Sequence, residues 1–450
     1  MFKKIFLLIF SVLLLTGCGS PIIKKSPELA IYDNMVNRSL LFEGNTFRIN
    51  EKLHKAKKGE KVVIAYLGDS ITKSTLLKKF DNGFAPLSFK RIGNFIGNKA
   101  NLEYINFSVD GSTPVLGNTI INKEVLSKKA DIIFIEYMAL DKTEQIYRAS
   151  MESLIRTCLN DKNKPAIVLV LPCMDRVFLN QNPITQLGKY YNLPVISIAN
   201  AIQPEITAGR MKPEEYFIDT AHPTEYGHRL MSDFIMNYIK KAYKNKSKVD
   251  YIMPPVMYPQ SIFENVKFIS AKNIQADNDG SFVRKEIKDK QFFDEIEYLP
   301  NTGNKPFEFT VNANNIFLVA PKYYREICSA DIYVNSEKIK TINLGISDED
   351  PSEVQSFLIY SSDKTGPVKV GIKIPDEDNN IDFTKPEKTP EMTENTLEND
   401  DNSISESNFP EEEKVVTINK KNKLQKNTKP IRFYGIGYTQ NTETKKNGGK

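Results

Sequence analysis

Three side chains in this sequence could together turn a hydroxyl into a nucleophile for an ester. Gly68-Asp69-Ser70 ends an apolar run, and Asp219-Thr220-Ala221-His222-Pro223 lies far downstream. A serine hydroxyl needs a base to take its proton and a carboxylate to hold that base in one tautomer. His222, with Asp219 three residues before it, offers both. The chain has 3 histidines, His54, His222 and His228, so the choice of base is short. Plainer readings exist for each segment. Asp and Ser are favoured helix N-caps, and the second segment suits a surface loop before a capped helix. His228 is the rival base, but it falls inside an expected helix, where packing is its more ordinary role.

These residues need elements to bring them together. Residues 61–67 form a continuous apolar run between charge and Gly68, the pattern of a buried central strand. Shorter apolar runs follow at 102–107, 131–137, 166–171 and 194–198. Helix-compatible stretches lie between them at 85–99, 143–159 and 184–192. The segment 226–242 places Leu230, Phe234, Ile235, Tyr238 and Ile239 on one helical stripe. Strands alternating with helices predict an α/β unit, a parallel sheet covered on both faces. Ligands of such sheets sit beyond the carboxyl ends of the strands. Ser70 falls just past the end of the first, where Gly68 would permit a sharp turn and unpaired backbone N–H groups could face an oxyanion.

At 450 residues the chain suits two domains. The pattern changes after residue 245. Short alternating segments at 307–311, 316–319, 330–334, 339–344, 356–360 and 368–374, punctuated by turn signals, predict an all-β domain over 251–375, a sandwich. Residues 376–429 are rich first in Asp, Glu, Asn, Thr and Pro, then in Lys and Asn, and read as a disordered charged insertion. The apolar segment 431–438 then returns as the last strand of the sandwich, because the cost of closing a loop grows slowly with its length. The alternative is a sticky tail segment.

The N-terminus reads as an address. Lys3 and Lys4 precede an apolar stretch over 5–15, too short to span a bilayer comfortably. Leu15-Thr16-Gly17-Cys18 resembles a bacterial lipobox. That resemblance implies a signal peptide over 1–18, lipidation at Cys18 and an extracytoplasmic, membrane-anchored protein; an ordinary secretory signal with a chance cysteine is the weaker reading. Residues 19–58 would then be a tether and a leading helix, and 59–245 the α/β domain. Three cysteines remain, so an exported chain keeps at least one free thiol, and a bridge between Cys158 and Cys173 is compatible with the sequence. No His/Cys cluster has metal-ligand spacing, so neither metal nor cofactor is expected. The net charge of +5 with 26% charged residues, without a basic patch interleaved with aromatics, gives no support for nucleic-acid binding.

The segments 68–72 and 219–223, followed by Gly227-His228, resemble the first and last blocks of the SGNH (GDSL-type) hydrolases. Asn106-Phe107-Ser108-Val109-Asp110-Gly111-Ser112 resembles the second block. The resemblance covers roughly residues 48–243 and implies a flavodoxin-like α/β fold. It implies Ser70 as nucleophile, His222 as base, Asp219 as its orienting carboxylate, and the Ser70 and Gly111 amides as oxyanion donors. The third block departs from the family: Leu140 stands where an Asn donor belongs. Either the two amides suffice, another side chain substitutes, or catalysis is weak or lost. The implied activity is an extracytoplasmic serine esterase removing acyl groups, foremost O-acetyl, from a cell-surface or wall polysaccharide. The alternatives are an O-acetyltransferase with the same triad and a non-catalytic glycan-binding or envelope-assembly lipoprotein.

Overall fold

The computed structural model describes residues 26–137, 144–175, 181–258, 262–287, 292, 294–299, 302–324, 328–346, 354–375 and 430–441. Cys18 with its lipobox-like segment, Leu140 and the charged insertion 376–429 lie outside the described residues. The N-terminal domain is built on six strands: β1 (Leu40–Phe42), β2 (Lys61–Gly68), β3 (Asn101–Ser108), β4 (Ile132–Glu136), β5 (Ala166–Leu171) and β6 (Val195–Ser197). Their order is β1-β6-β5-β4-β2-β3; β2 to β6 are parallel and β1 runs antiparallel along β6. Among the parallel strands this is the 2-1-3-4-5 order of doubly wound flavodoxin-like sheets, with the switch point between β2 and β4.

Alternate residues of β2 enter opposite cores, as the two-residue period of a strand requires. Val62, Ile64 and Tyr66 pack on one face; Val63, Ala65 and Leu67 pack on the other. The first face is covered by α1 (Pro27–Arg38), α2 (Phe47–Lys57), α4 (Phe84–Ile96), α8 (Ile198–Thr207) and α10 (Glu225–Lys244). The second is covered by α5 (Pro114–Glu124), α6 (Glu144–Leu159) and α7 (Gln181–Tyr190). Two short helices, α3 (Ser70–Lys73) and α9 (Pro213–Tyr216), sit in the loops that carry the candidate site. Residues 26–46, expected as tether, instead hold α1, which packs on α8 and α10, and the edge strand β1. Their short apolar segments gain from burial only once that sheet edge exists.

The C-terminal domain carries β7 (Lys267–Ser270), β8 (Ala276–Asn278), β9 (Phe282–Glu286), β10 (Asp294–Tyr298), β11 (Phe307–Pro321), β12 (Tyr323–Tyr324), β13 (Ser329–Val334), β14 (Glu337–Asn343), β15 (Gly345–Ile346), β16 (Val354–Lys373), β17 (Arg432–Phe433) and β18 (Gly435–Thr439). The larger sheet has the order β14-β13-β16-β11-β18-β7, with β8 also on β11, and is antiparallel throughout. A three-stranded sheet, β17-β10-β9, lies over it. Phe282, Ile296 and Phe433 of the small sheet share one core with Phe307, Phe309, Ile332 and Val370 of the large one. This is the expected all-β sandwich, with corrections in detail. The segments read at 307–311 and 316–319 are one strand, β11, and those at 356–360 and 368–374 are one strand, β16. Their pairing slips between Ala313 and Asn315, which breaks the alternation in the sequence without ending the strand. The returning segment 431–438 is split between the sheets: β17 pairs with β10, and β18 lies between β11 and β7. Gly435 makes the crossing with φ +156, where a Cβ would stand 2.3 Å from the Ile269 carbonyl.

The domains meet along α5. This helix is buried from Pro114 to Ile121, because α6 and β2 cover it from its own domain and β7, β16 and β18 of the sandwich cover it from the other. Thr119 Oγ1 shares a 2.8 Å hydrogen bond with Ser356 Oγ, and Asn122 Nδ2 donates to the Val266 carbonyl at 2.9 Å. Phe292 packs edge-on against Phe107 of β3 and stacks on Tyr434 at 4.8 Å. Glu152 of α6 anchors the connector, accepting from Met257 N at 2.6 Å and Tyr258 N at 2.7 Å. The helix that follows the Gly111 loop is thus clamped from both domains. Cys158, Cys173 and Cys328 are buried free thiols, so the Cys158–Cys173 bridge does not form.

Candidate active site

Ser70 follows β2 at the switch point of the sheet. Asp69 caps α3 through its own carboxylate, which accepts from Ile71 N at 3.1 Å. The capping reading therefore belongs to Asp69, and it leaves the Ser70 hydroxyl uncommitted. Gly68 is required for closeness rather than for a left-handed turn: a Cβ there would stand 2.3 Å from both the Glu136 carbonyl and Thr72 Oγ1. The loop after β3 closes over the same point. Val109 N donates to the Gly68 carbonyl at 3.2 Å, as does Ser112 Oγ. Gly111 sits beside it at φ +63, a conformation that favours glycine.

The other two residues are held in a tight loop. Ile218 N donates to the His222 carbonyl at 2.8 Å, and Phe217 pairs with Pro223. Asp175 N, past β5, donates to the Thr220 carbonyl at 2.9 Å and ties the loop to the sheet. Thr224 then caps α10, accepting from Gly227 N. Inside this loop Asp219 Oδ1 accepts from Ala221 N at 2.8 Å and His222 N at 2.7 Å. Asp219 Oδ2 lies 2.8 Å from His222 Nδ1, and His222 Nε2 lies 2.8 Å from Ser70 Oγ. Burial would raise the Asp219 carboxyl, but those two amides and the imidazole outweigh it and hold it below its usual range. An ionised Asp219 requires N–H at Nδ1, leaving Nε2 free to accept the Ser70 proton. The structure thus brings together Ser70, His222 and Asp219 and sets the Gly111 loop beside them. Leu140 is outside the described residues.

His228 is not the base. It is buried inside α10, and its Nδ1 accepts from Phe84 N at 3.1 Å. Burial above all, with the His222 imidazole nearby, lowers its pKa to about 3. The unfolded chain therefore takes up a proton below pH 6.5 that the folded chain refuses until about 3. This contribution to stability is complete above 6.5 and is lost as pH falls, by about 1.4 kcal/mol per unit. Urea midpoints measured from pH 7 to 5 should fall less steeply in His228→Gln than in the wild type; equal slopes would refute the assignment.

Sequence reasoning missed the braces of the site. Asp110, next to Gly111, accepts from Lys73 Nζ at 2.9 Å and from Thr75 Oγ1, tying the Gly111 loop to the end of α3. Asn106 Nδ2 reaches the Thr72 carbonyl at 3.3 Å. Thr72 Oγ1 donates to Glu136 Oε2 at 2.7 Å. Of these, Glu136 carried a visible signal, a carboxylate closing an apolar strand; Lys73 and Asp110 are 37 residues apart and carried none. No group of three or more His, Cys, Asp or Glu among the described residues could hold a metal ion.

The strand order, with Ser70, His222 and Asp219 meeting at its switch point, gives the N-terminal domain a flavodoxin-like α/β fold. No protein-family model and no curated protein matches the chain. Among solved structures it is similar to a two-domain esterase active on acetylated mannans. The identity is 20% and the TM-score 0.67, over 90% of this chain and 99% of that one. The same esterase co-crystallised with mannopentaose gives 20% and 0.67 over 90% and 98%. A lipase/acylhydrolase from Enterococcus faecalis, 24% identical, covers 40% of this chain and 96% of its own, with a TM-score of 0.33. At 20% identity the two-domain likeness is one of fold, and it spans both domains.

Proposed function

We propose that this chain is an extracytoplasmic serine esterase, anchored through lipid at Cys18, that removes O-acetyl groups from a cell-surface or wall polysaccharide. The observation that carries the reading is the continuous relay from Ser70 Oγ through His222 to Asp219, with both links at 2.8 Å. Ser70 Oγ adds to the ester carbonyl as His222 Nε2 takes its proton. The oxyanion is met by the Ser70 and Gly111 amides. Collapse breaks the bond to the sugar oxygen, which leaves with the proton from His222, and the acetyl group stays on Ser70. Water, deprotonated by His222, then releases acetate and restores Ser70.

The polymeric substrate is supported by the surroundings of the triad. Its segments carry exposed apolar side chains: Leu76 and Phe80 after Ser70, Ile218 before Asp219, Tyr226 after His222. Exposed rings suit the apolar face of a pyranose. The similarity in fold to an esterase active on acetylated mannans points the same way, and the lipobox-like N-terminus supports the location.

The test is acetate release from acetylated mannan, acetylated xylan and cell-wall polysaccharide by the wild type and by Ser70→Ala. Release that vanishes in the variant is expected. Labelling of Ser70 by a fluorophosphonate without release would move the reading to acetyl transfer. Neither labelling nor release from a folded protein would leave a glycan-binding lipoprotein.

A further inference from the structure

Directly behind Ser70 two carboxyl groups are buried together. Asp69 is 0% and Glu136 1% exposed. They arrive from neighbouring parallel strands, since Gly68 at the end of β2 pairs in register with Glu136 at the end of β4. Thr72 Oγ1 donates to Glu136 Oε2, and Asp69 Oδ1 receives Ile71 N, so each carboxyl spends one oxygen on the first turn of α3. The other Glu136 oxygen, Oε1, is buried and finds no donor. No ion pair among the described residues reaches Glu136.

Resting on Ser70 as the nucleophile, we propose that Glu136 is a positioning residue held as a neutral carboxylic acid, donating its proton to Asp69 and thereby fixing the turn that presents Ser70. As a carboxylate, Glu136 would face a second buried carboxyl with an unsatisfied oxygen, an arrangement costly on both counts. As an acid it turns the orphan oxygen into a donor, leaves one negative charge for the pair, and joins β4 to the β2–α3 turn. Burial first, and then the Asp69 charge, push its carboxyl well above the usual carboxylate range. Tyr216 of α9 also faces Glu136, with Cys173 next to Tyr216. Burial raises both of those groups as well, so neither supplies a counter-charge. Removing the Glu136 proton would take one hold from Asp69 beside its bond from Ile71 N, and the turn that aims Ser70, the next residue, at His222 would loosen without any loss of substrate contacts.

The experiment compares Glu136→Gln, whose amide keeps a neutral donor and an acceptor, with Glu136→Met, which keeps the volume and no donor. Folding is checked by circular dichroism and melting. Ser70 labelling by a fluorophosphonate should slow about 100-fold in Glu136→Met and stay within about threefold in Glu136→Gln. For any acetyl ester turned over, KM should hold while kcat follows labelling. Infrared difference spectra at neutral pH should show a protonated-carboxyl carbonyl band in the wild type that is absent from Glu136→Gln. An unchanged spectrum would overturn the proposal, as would Glu136→Gln labelling as slowly as Glu136→Met. Labelling that follows the expected order without acetate release from any polysaccharide would leave the proposal standing and the esterase reading refuted.

Discussion

Ser70→Ala, His222→Ala and the double variant should each lose about 10⁶-fold in kcat on an acetyl ester, the double no more than either single. The reason is that in the proposed mechanism Ser70 and His222 act as one unit. There the 2.8 Å contact between Oγ and Nε2 is the path of the proton, so either loss removes the nucleophile. A residual rate of about 10³–10⁴ over water should survive in all three, supplied by binding and by the proposed backbone donors at Ser70 and Gly111, which these substitutions leave in place. Single-turnover rates with p-nitrophenyl acetate read this directly. Multiplicative losses would show two independent groups and defeat the relay. More than a hundredth of wild-type activity in Ser70→Ala would point to another nucleophile.

Asp219→Asn should lower kcat about 10⁴-fold with the fold intact. The local geometry makes this substitution unusually specific. Oδ1 is fixed by the amides of Ala221 and His222, so an Asn oxygen must occupy that position. The Asn amide nitrogen is then forced to where Oδ2 now meets His222 Nδ1. Donating to Nδ1, it would select the tautomer with the proton on Nε2, which cannot receive the Ser70 proton. Nitrogen-edited NMR of the imidazole should show that switch in a variant that stays folded by circular dichroism, with a melting temperature at neutral pH somewhat below wild type, because the lowered Asp219 carboxyl contributes stability that Asn lacks. A loss under tenfold would mean that Asp219 only shapes the loop. Because the Asp219 carboxyl lies below its usual range, the wild type should keep this contribution through the mildly acidic region and lose it only as pH falls through the lowered value.

What the sequence determined by itself was whatever rests on local pattern. The apolar runs marked the parallel strands, since strands buried on both faces leave little room for polar residues. Asp219 and His222, three residues apart, could be paired because one tight loop suffices to join them. The return at 431–438 was visible because a strand-like apolar segment stood out after a charged stretch.

Only the tertiary structure decided what depends on distant chain. Ser70 meets His222 across 152 residues, through a sheet order that spacing does not encode. Helix α5 went unread because it is buried all round between two domains and so lacks the one-sided stripe that marks a surface helix. The long strands β11 and β16 were divided because a slip in their pairing interrupts the two-residue period. Residues 26–46 looked like a tether because their few apolar groups are buried only against elements that come later in the chain. Glu136 and Asp69 each looked like an ordinary acid. Their burial side by side follows from the parallel register of β2 and β4, and it is burial that turns two unremarkable carboxylates into a pair that must share a proton.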